Sequence, residues 1–100
     1  DTTNQIEPIK AFALARGFTL VGVYEDVGIS GATERRKGLD QMVRDARLGI
    51  FQHLIVIEIS RLARDVRHLL NTLSELDQVG TQVISIREGI EFQSVRGRAM

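Results

Sequence analysis

Leu54-Ile55-Val56-Ile57-Glu58-Ile59-Ser60-Arg61-Leu62-Ala63-Arg64 is the stretch on which the fold turns. Its opening residues, Leu54 to Ile57, are a continuous apolar run, as expected for a parallel strand covered on both faces. Beyond the polar, basic segment, Val66, Leu69, Leu70, Leu73 and Leu76 form an apolar stripe at helical spacing, closed by Gly80. Thr81 to Ile86 reads as the next strand, and Ile90-Glu91-Phe92 as a short one. Upstream, Leu39, Met42, Val43 and Ala46 recur at i, i+3, i+4 and i+7, an amphipathic helix ended near Gly49. Before that, Phe18 to Tyr24 favours extended backbone through Val21, Val23 and Tyr24. Ile6, Ile9, Phe12 and Ala13 predict a first helix, with Pro8 in its first turn and Gly17 as its stop. Glu25 to Gly38 is polar, contains Gly28, Gly31 and Gly38, and reads as a long loop. Helices alternating with strands imply an α/β domain with a mostly parallel central sheet.

Composition narrows the function. The chain has 100 residues, 43% of them hydrophobic and 26% charged, which suits one small soluble domain. No run approaches the roughly 20 apolar residues of a membrane span. Asp1-Thr2-Thr3-Asn4-Gln5 lacks the basic start of a signal peptide. There is no cysteine, hence no disulfide framework, and a cytoplasmic location is expected. Two histidines, His53 and His68, are too few for a usual zinc constellation, and no metal or other cofactor is expected. Net charge is zero, yet Arg35, Arg36, Lys37, Arg44 and Arg47 form one basic group, and Arg61, Arg64 and Arg67 a second. Acidic residues dilute both, so charge alone does not identify a nucleic-acid partner.

In open α/β sheets, ligands bind beyond the carboxyl ends of the strands. Two segments lie there: Glu25-Asp26-Val27-Gly28-Ile29-Ser30-Gly31, and Glu58 to Arg64. Arg61 and Arg64, three apart at a helix start, can project from one face near unpaired backbone N–H groups. Each planar guanidinium matches two phosphate oxygens at once. Ser30 beside Gly31 has no neighbouring base to activate it and reads as a turn residue. His53, between a helix and a strand, reads as structural or solvated.

Asp26-Val27-Gly28-Ile29-Ser30-Gly31, Arg36-Lys37-Gly38-Leu39, Ser60-Arg61-Leu62-Ala63-Arg64, and Glu88-Gly89-Ile90 followed by Gly97-Arg98 resemble, in order and spacing, the resolvase/invertase catalytic domain of serine recombinases. The resemblance spans residues 1–100 and implies a three-layer, resolvase-like catalytic domain, truncated at both ends. It implies cleavage of double-stranded DNA by a serine hydroxyl, giving a 5′-phosphoserine link and a free 3′-hydroxyl. It also implies dimers that become tetramers on DNA, with no metal or nucleotide cofactor. Arg36, Arg61 and Arg64 would form a phosphate cradle, stabilising charge on the phosphoryl oxygens. Asp26 and Gln5 match positions near the site and would orient its groups.

Two departures from the family pattern are visible. Ser60 stands where aspartate is usual. Serine can cap a helix by accepting a backbone N–H bond but brings no negative charge. The family's first strand, ending in Tyr-x-Arg-x-Ser with the nucleophile, would precede Asp1 and lie between Phe18–Tyr24 and Leu54–Ile57. Residues 1–100 alone are therefore expected to be inactive. A non-catalytic regulatory or assembly domain on the same fold is the alternative, and Ser60 leans that way. A receiver-like module would need clustered carboxylates, for which Asp26 and Glu58 are thin support.

Overall fold

The computed structural model describes residues 2–24, 32–63 and 65–92, with residues 2–5 and 32–37 described through their backbone only. Helix α1 spans Thr2–Ala15 and α2 spans Ala32–Arg47. Strand β1, His53–Val56, leads into a 3-10 turn at Ile59–Leu62, and α3 follows at Val66–Gln78. Strands β2, Gln82–Ser85, and β3, Ile90–Phe92, complete the order. The sheet runs β1-β2-β3, with β1 and β2 parallel and β2 and β3 antiparallel, so this α/β fold has a small mixed sheet. Leu54 lies opposite Val83 and Val56 opposite Ser85.

The core lies where α2, α3 and the sheet meet. Met42, Ala46, Phe51, Leu62, Leu76 and Val83 are buried together, with Leu39, Val43, Leu69 and Leu73 packed against them. The stripe expected for α2 is thus its inner face. That of α3 is rotated: Val66 and Leu70 are exposed, whereas Thr72 and Leu76 are buried. Leu69, Thr72, Leu73 and Leu76 follow i, i+3, i+4 and i+7, leaving Val66 and Leu70 on one flank. Asp65 caps α3 by accepting the His68 N–H at 2.8 Å, and a left-handed Gly80 (φ +82°) ends it. There the Gly80 and Thr81 N–H groups donate to the Asp77 and Leu76 carbonyls, a Schellman closure.

Four expectations need correction. Residues 18–24 are not a strand, although Gly17 does close α1 just before them. They are not part of the described sheet, and Val21 and Val23 line a cavity of about 670 Å³ together with Leu54 and Val56 of β1. Extended backbone without a pairing neighbour makes no ladder. That cavity also leaves Leu54–Ile57 half-buried rather than covered on both faces. Pro8 lies inside α1 rather than in its first turn, because the helix already begins at Thr2; α1 therefore lacks one backbone donor there. Finally, α2 begins at Ala32, so the loop expected through Gly38 gives way to helix. Ala32, Glu34, Arg35, Arg36 and Lys37 are strong helix formers, and one interior glycine costs only ~1 kcal/mol.

Candidate active site

The parallel register of β1 and β2 brings two chain segments together at their carboxyl ends. Beyond the ladder, the Ile86 N–H donates to the Val56 carbonyl at 3.0 Å, and the Arg87 N–H to that of Ile57 at 2.9 Å. Glu58 then leaves β1 and opens the 3-10 turn, whose first closing bond runs from the Arg61 N–H to the Glu58 carbonyl at 3.1 Å. Leu62, buried in the core, anchors the turn, and Ala63 behind it is buried as well. Arg61 is the basic residue that this turn presents.

Arg61 sits in a charged cluster. Its Nε lies 3.4 Å from Glu58 Oε2, and the other Glu58 oxygen accepts from Arg87 Nη1 at 2.7 Å. The Arg61–Glu58 approach is an ion pair without hydrogen-bond geometry, and that Nε is buried with no hydrogen-bond partner. The side chain as a whole is 39% exposed. It is thus held near its root while part of it remains open to solvent. Glu88, from the turn between β2 and β3, accepts both the Ile59 N–H at 3.2 Å and the buried Ser85 hydroxyl. The Ser85 hydrogen bond, foremost, holds the Glu88 carboxyl below its ordinary range, with the Ile59 N–H and Arg87 adding to the effect against desolvation.

Of the residues singled out from sequence, Ser60 and Arg61 sit side by side on this turn, Ser60 exposed. Arg61 does not stand at an α-helix start as expected, and Ser60 does not cap α3. Asp65 is that cap, so the α-helix begins only at Val66. Gln5 lies on α1 and Arg36 on α2, but their side chains fall outside the described residues. Asp26, Ser30 and Arg64 also lie outside them. His53 is exposed on β1 and stacks on Phe18, ring centroids 4.6 Å apart, which fits a structural role.

Sequence reasoning left Glu88, Ser85 and Arg87 without a role at the strand ends. Their signal was a charged pair directly after a strand that runs parallel to the one leading into Arg61. Among the described residues, no group of three or more His, Cys, Asp or Glu could hold a metal ion. No helix there is long and apolar enough to cross a membrane.

Comparison with known proteins places this geometry in a family. The family model "Resolvase, N terminal domain" matches residues 1–100. The chain is 34% identical over 68 residues to the probable DNA-invertase y4cG of Sinorhizobium fredii, covering 68% of the chain and 22% of that protein. It is 33% identical over 76 residues to the DNA-invertase hin of Salmonella typhimurium, covering 76% of the chain and 38% of that protein. The chain therefore spans well under half the length of these curated relatives. Among solved structures, the N-terminal catalytic domain of TP901-1 integrase superposes with a TM-score of 0.84 at 27% identity, over 98% of this chain and 76% of that one. A resolvase family site-specific recombinase from Streptococcus pneumoniae gives 0.79 at 30% identity, over 89% and 62%. Since the family model takes in the whole length and the same strand-end turn lies inside it, this chain belongs to the resolvase N-terminal domain family.

Proposed function

We propose that this chain is part of the catalytic domain of a serine site-specific recombinase, and that it acts on duplex DNA. The observation that carries the reading is Arg61, on a short turn at the carboxyl end of a parallel strand, rooted beside Glu58 and partly open to solvent. A fixed guanidinium at such a strand end suits a phosphodiester, whose oxygens it can meet in pairs. The names of the relatives, DNA-invertases and an integrase catalytic domain, support the same reaction class.

The chemistry is a transesterification. A serine oxygen forms a bond to phosphorus, the bond to the 3′ oxygen breaks, and that oxygen leaves with a proton as a free hydroxyl. The phosphodiester becomes a 5′-phosphoserine ester, so the bond is conserved and the step can reverse to reseal exchanged strands. Negative charge grows on the phosphoryl oxygens during attack, and Arg36, Arg61 and Arg64 are the groups proposed to stabilise it. Asp26 and Gln5 are proposed to orient them, and Ser60 to modulate a site where a carboxylate is usual. The serine is proposed to lie on a strand preceding Asp1. The apolar cavity beside β1, whose lining includes Leu54, Val56 and Leu62, supports a further strand in that place. Dimers that become tetramers on DNA, in the cytoplasm, complete the proposal.

The test uses the full-length protein and a nicked duplex carrying its recombination site, with a chelator present. The expected product is a protein joined to a 5′-phosphate through serine, with a free 3′-hydroxyl on the other fragment. Strand cleavage that leaves no protein attached, or none without added metal, would overturn the reading.

A further inference from the structure

The arginine-bearing turn is intrinsically weak. It is four residues long, and 3-10 geometry gives poorer hydrogen bonds than an α-helix. Glu58, at its N-cap position, makes no side-chain capping bond. The first amide of the turn, Ile59 N–H, would therefore lack a partner from its own segment. Its partner instead comes from 29 residues away, the Glu88 carboxylate at 3.2 Å.

Glu88 is itself held from behind. The Ser85 hydroxyl, fully buried at the end of β2, donates to the same carboxylate oxygen that accepts the Ile59 N–H. Gly89 takes a left-handed φ of +67°, and its N–H reaches the Ser85 and Ile86 carbonyls at 3.0 and 3.2 Å. That tight return places Glu88 over the start of the 3-10 turn. Arg87 beside it grips the Glu58 carboxylate at 2.7 Å. The β2–β3 turn thus holds residues 58 and 59 by side chain and by backbone, and Leu62 fixes the far end in the core. Arg61 lies between these two anchors, so its root cannot move unless one of them gives.

We infer that Glu88 is a positioning residue for Arg61: by capping Ile59 and locking to Ser85, it fixes the turn that presents the Arg61 guanidinium to the scissile phosphate. The inference rests on the proposed recombinase reaction for its functional consequence. Glu88 acts through the backbone of the turn, and no bond joins it to the guanidinium. The Ser85 hydrogen bond holds its carboxyl below the ordinary range, which favours the acceptor form.

The test compares Glu88→Ala, Glu88→Gln and Ser85→Ala in the full-length protein on the same nicked duplex. Glutamine keeps an oxygen that can accept both bonds, whereas alanine keeps none. The rate of adduct formation at saturating DNA should fall by about 10- to 100-fold in Glu88→Ala, the cost of misplacing a reacting contact by an ångström or less. The Kd for DNA should stay within about twofold, and Glu88→Gln should recover most of the rate. Ser85→Ala, which leaves the carboxylate in place, should lose less than Glu88→Ala and keeps the test open if the latter does not fold. A wild-type rate in both alanine variants, a loss confined to Kd, or a glutamine variant as slow as alanine would each overturn the inference. Absence of adduct from the wild-type protein would instead sink the proposed reaction. Protection of the Ile59 amide from hydrogen exchange then decides the positioning itself: lost in Glu88→Ala and kept in Glu88→Gln supports it, and equal protection in both overturns it.

Discussion

Leu62 joins the fold to the site, which makes Leu62→Ala an informative perturbation. The side chain is 2% exposed and packs in the cluster of Met42, Ala46, Phe51, Leu76 and Val83, while its neighbour Arg61 is half-buried. Truncating a buried leucine to alanine costs about 2.7–5.0 kcal/mol, more where a larger hole remains. Leu62 also borders the 670 Å³ cavity, so its packing is incomplete on one side and fewer contacts are lost. The lower end, about 3 kcal/mol, is the expected magnitude. For a 100-residue domain the unfolding entropy is about 0.2 kcal/mol/K, so Tm should fall by roughly 14 °C. Leu70, 60% exposed on α3, is the control, and Leu70→Ala should stay within about 0.5 kcal/mol. Thermal and denaturant melts of both variants measure the difference. Equal melting points for the two would refute the claim that the turn is anchored through the core.

Two further outcomes concern the rest of the structure. Tyr24, the one tyrosine of the chain, donates to Asp45 at 2.5 Å, and burial first, then that bond, pushes its phenol up to about 12 from an ordinary 10. A raised phenol favours the neutral form on folding, so its stabilisation is whole below pH 10 and lost as pH climbs through 12. Because Tyr24 is 39% exposed, solvent screening limits the effect to about 1 kcal/mol, and Tyr24→Phe should flatten the alkaline loss seen in melts across that window. Gly89→Ala meets no atom within 4 Å of the new Cβ, so only its left-handed backbone opposes the change. A loss of about 1 kcal/mol is expected by denaturant titration, with no loss arguing that the turn relaxes freely.

Much of the fold could be read from hydropathy. Leu54–Ile57 and Thr81–Ile86 are dense in β-formers; β2 falls within the second run, and β1 overlaps the first, starting one residue earlier at His53. Residues 18–24 carry the same composition and fail as a strand, because a ladder needs a neighbour and their facing edge borders a cavity. The α3 stripe was legible in period but not in phase. Thr72 is buried in place of Leu70, since packing against the sheet sets the rotation and a leucine count does not. At the site, Arg61 stood out through its place after a strand. The 3-10 turn did not, because Asp65 starts α3 only at Val66 and leaves residues 59–62 as a separate unit. Glu88, held by Ser85, reaches that turn from 29 residues along the chain, where the parallel register brings the two strand ends together. No local spacing encodes such a contact.

The central claim is that Arg61 neutralises charge on a DNA phosphate, and a change in the substrate tests it most directly. A methylphosphonate at the scissile position replaces one charged oxygen by a methyl group and leaves the rest of the duplex intact. The measurement is the rate of adduct formation by the full-length protein and its Arg61→Ala variant on both substrates. On ordinary DNA the variant should be slower by about 100- to 1,000-fold, the usual effect of removing one donor to a developing oxyanion. On the neutral substrate that penalty should shrink to below about tenfold, because little charge remains for the guanidinium to stabilise. An equal penalty on both substrates would contradict the account and leave Arg61 with a purely structural part.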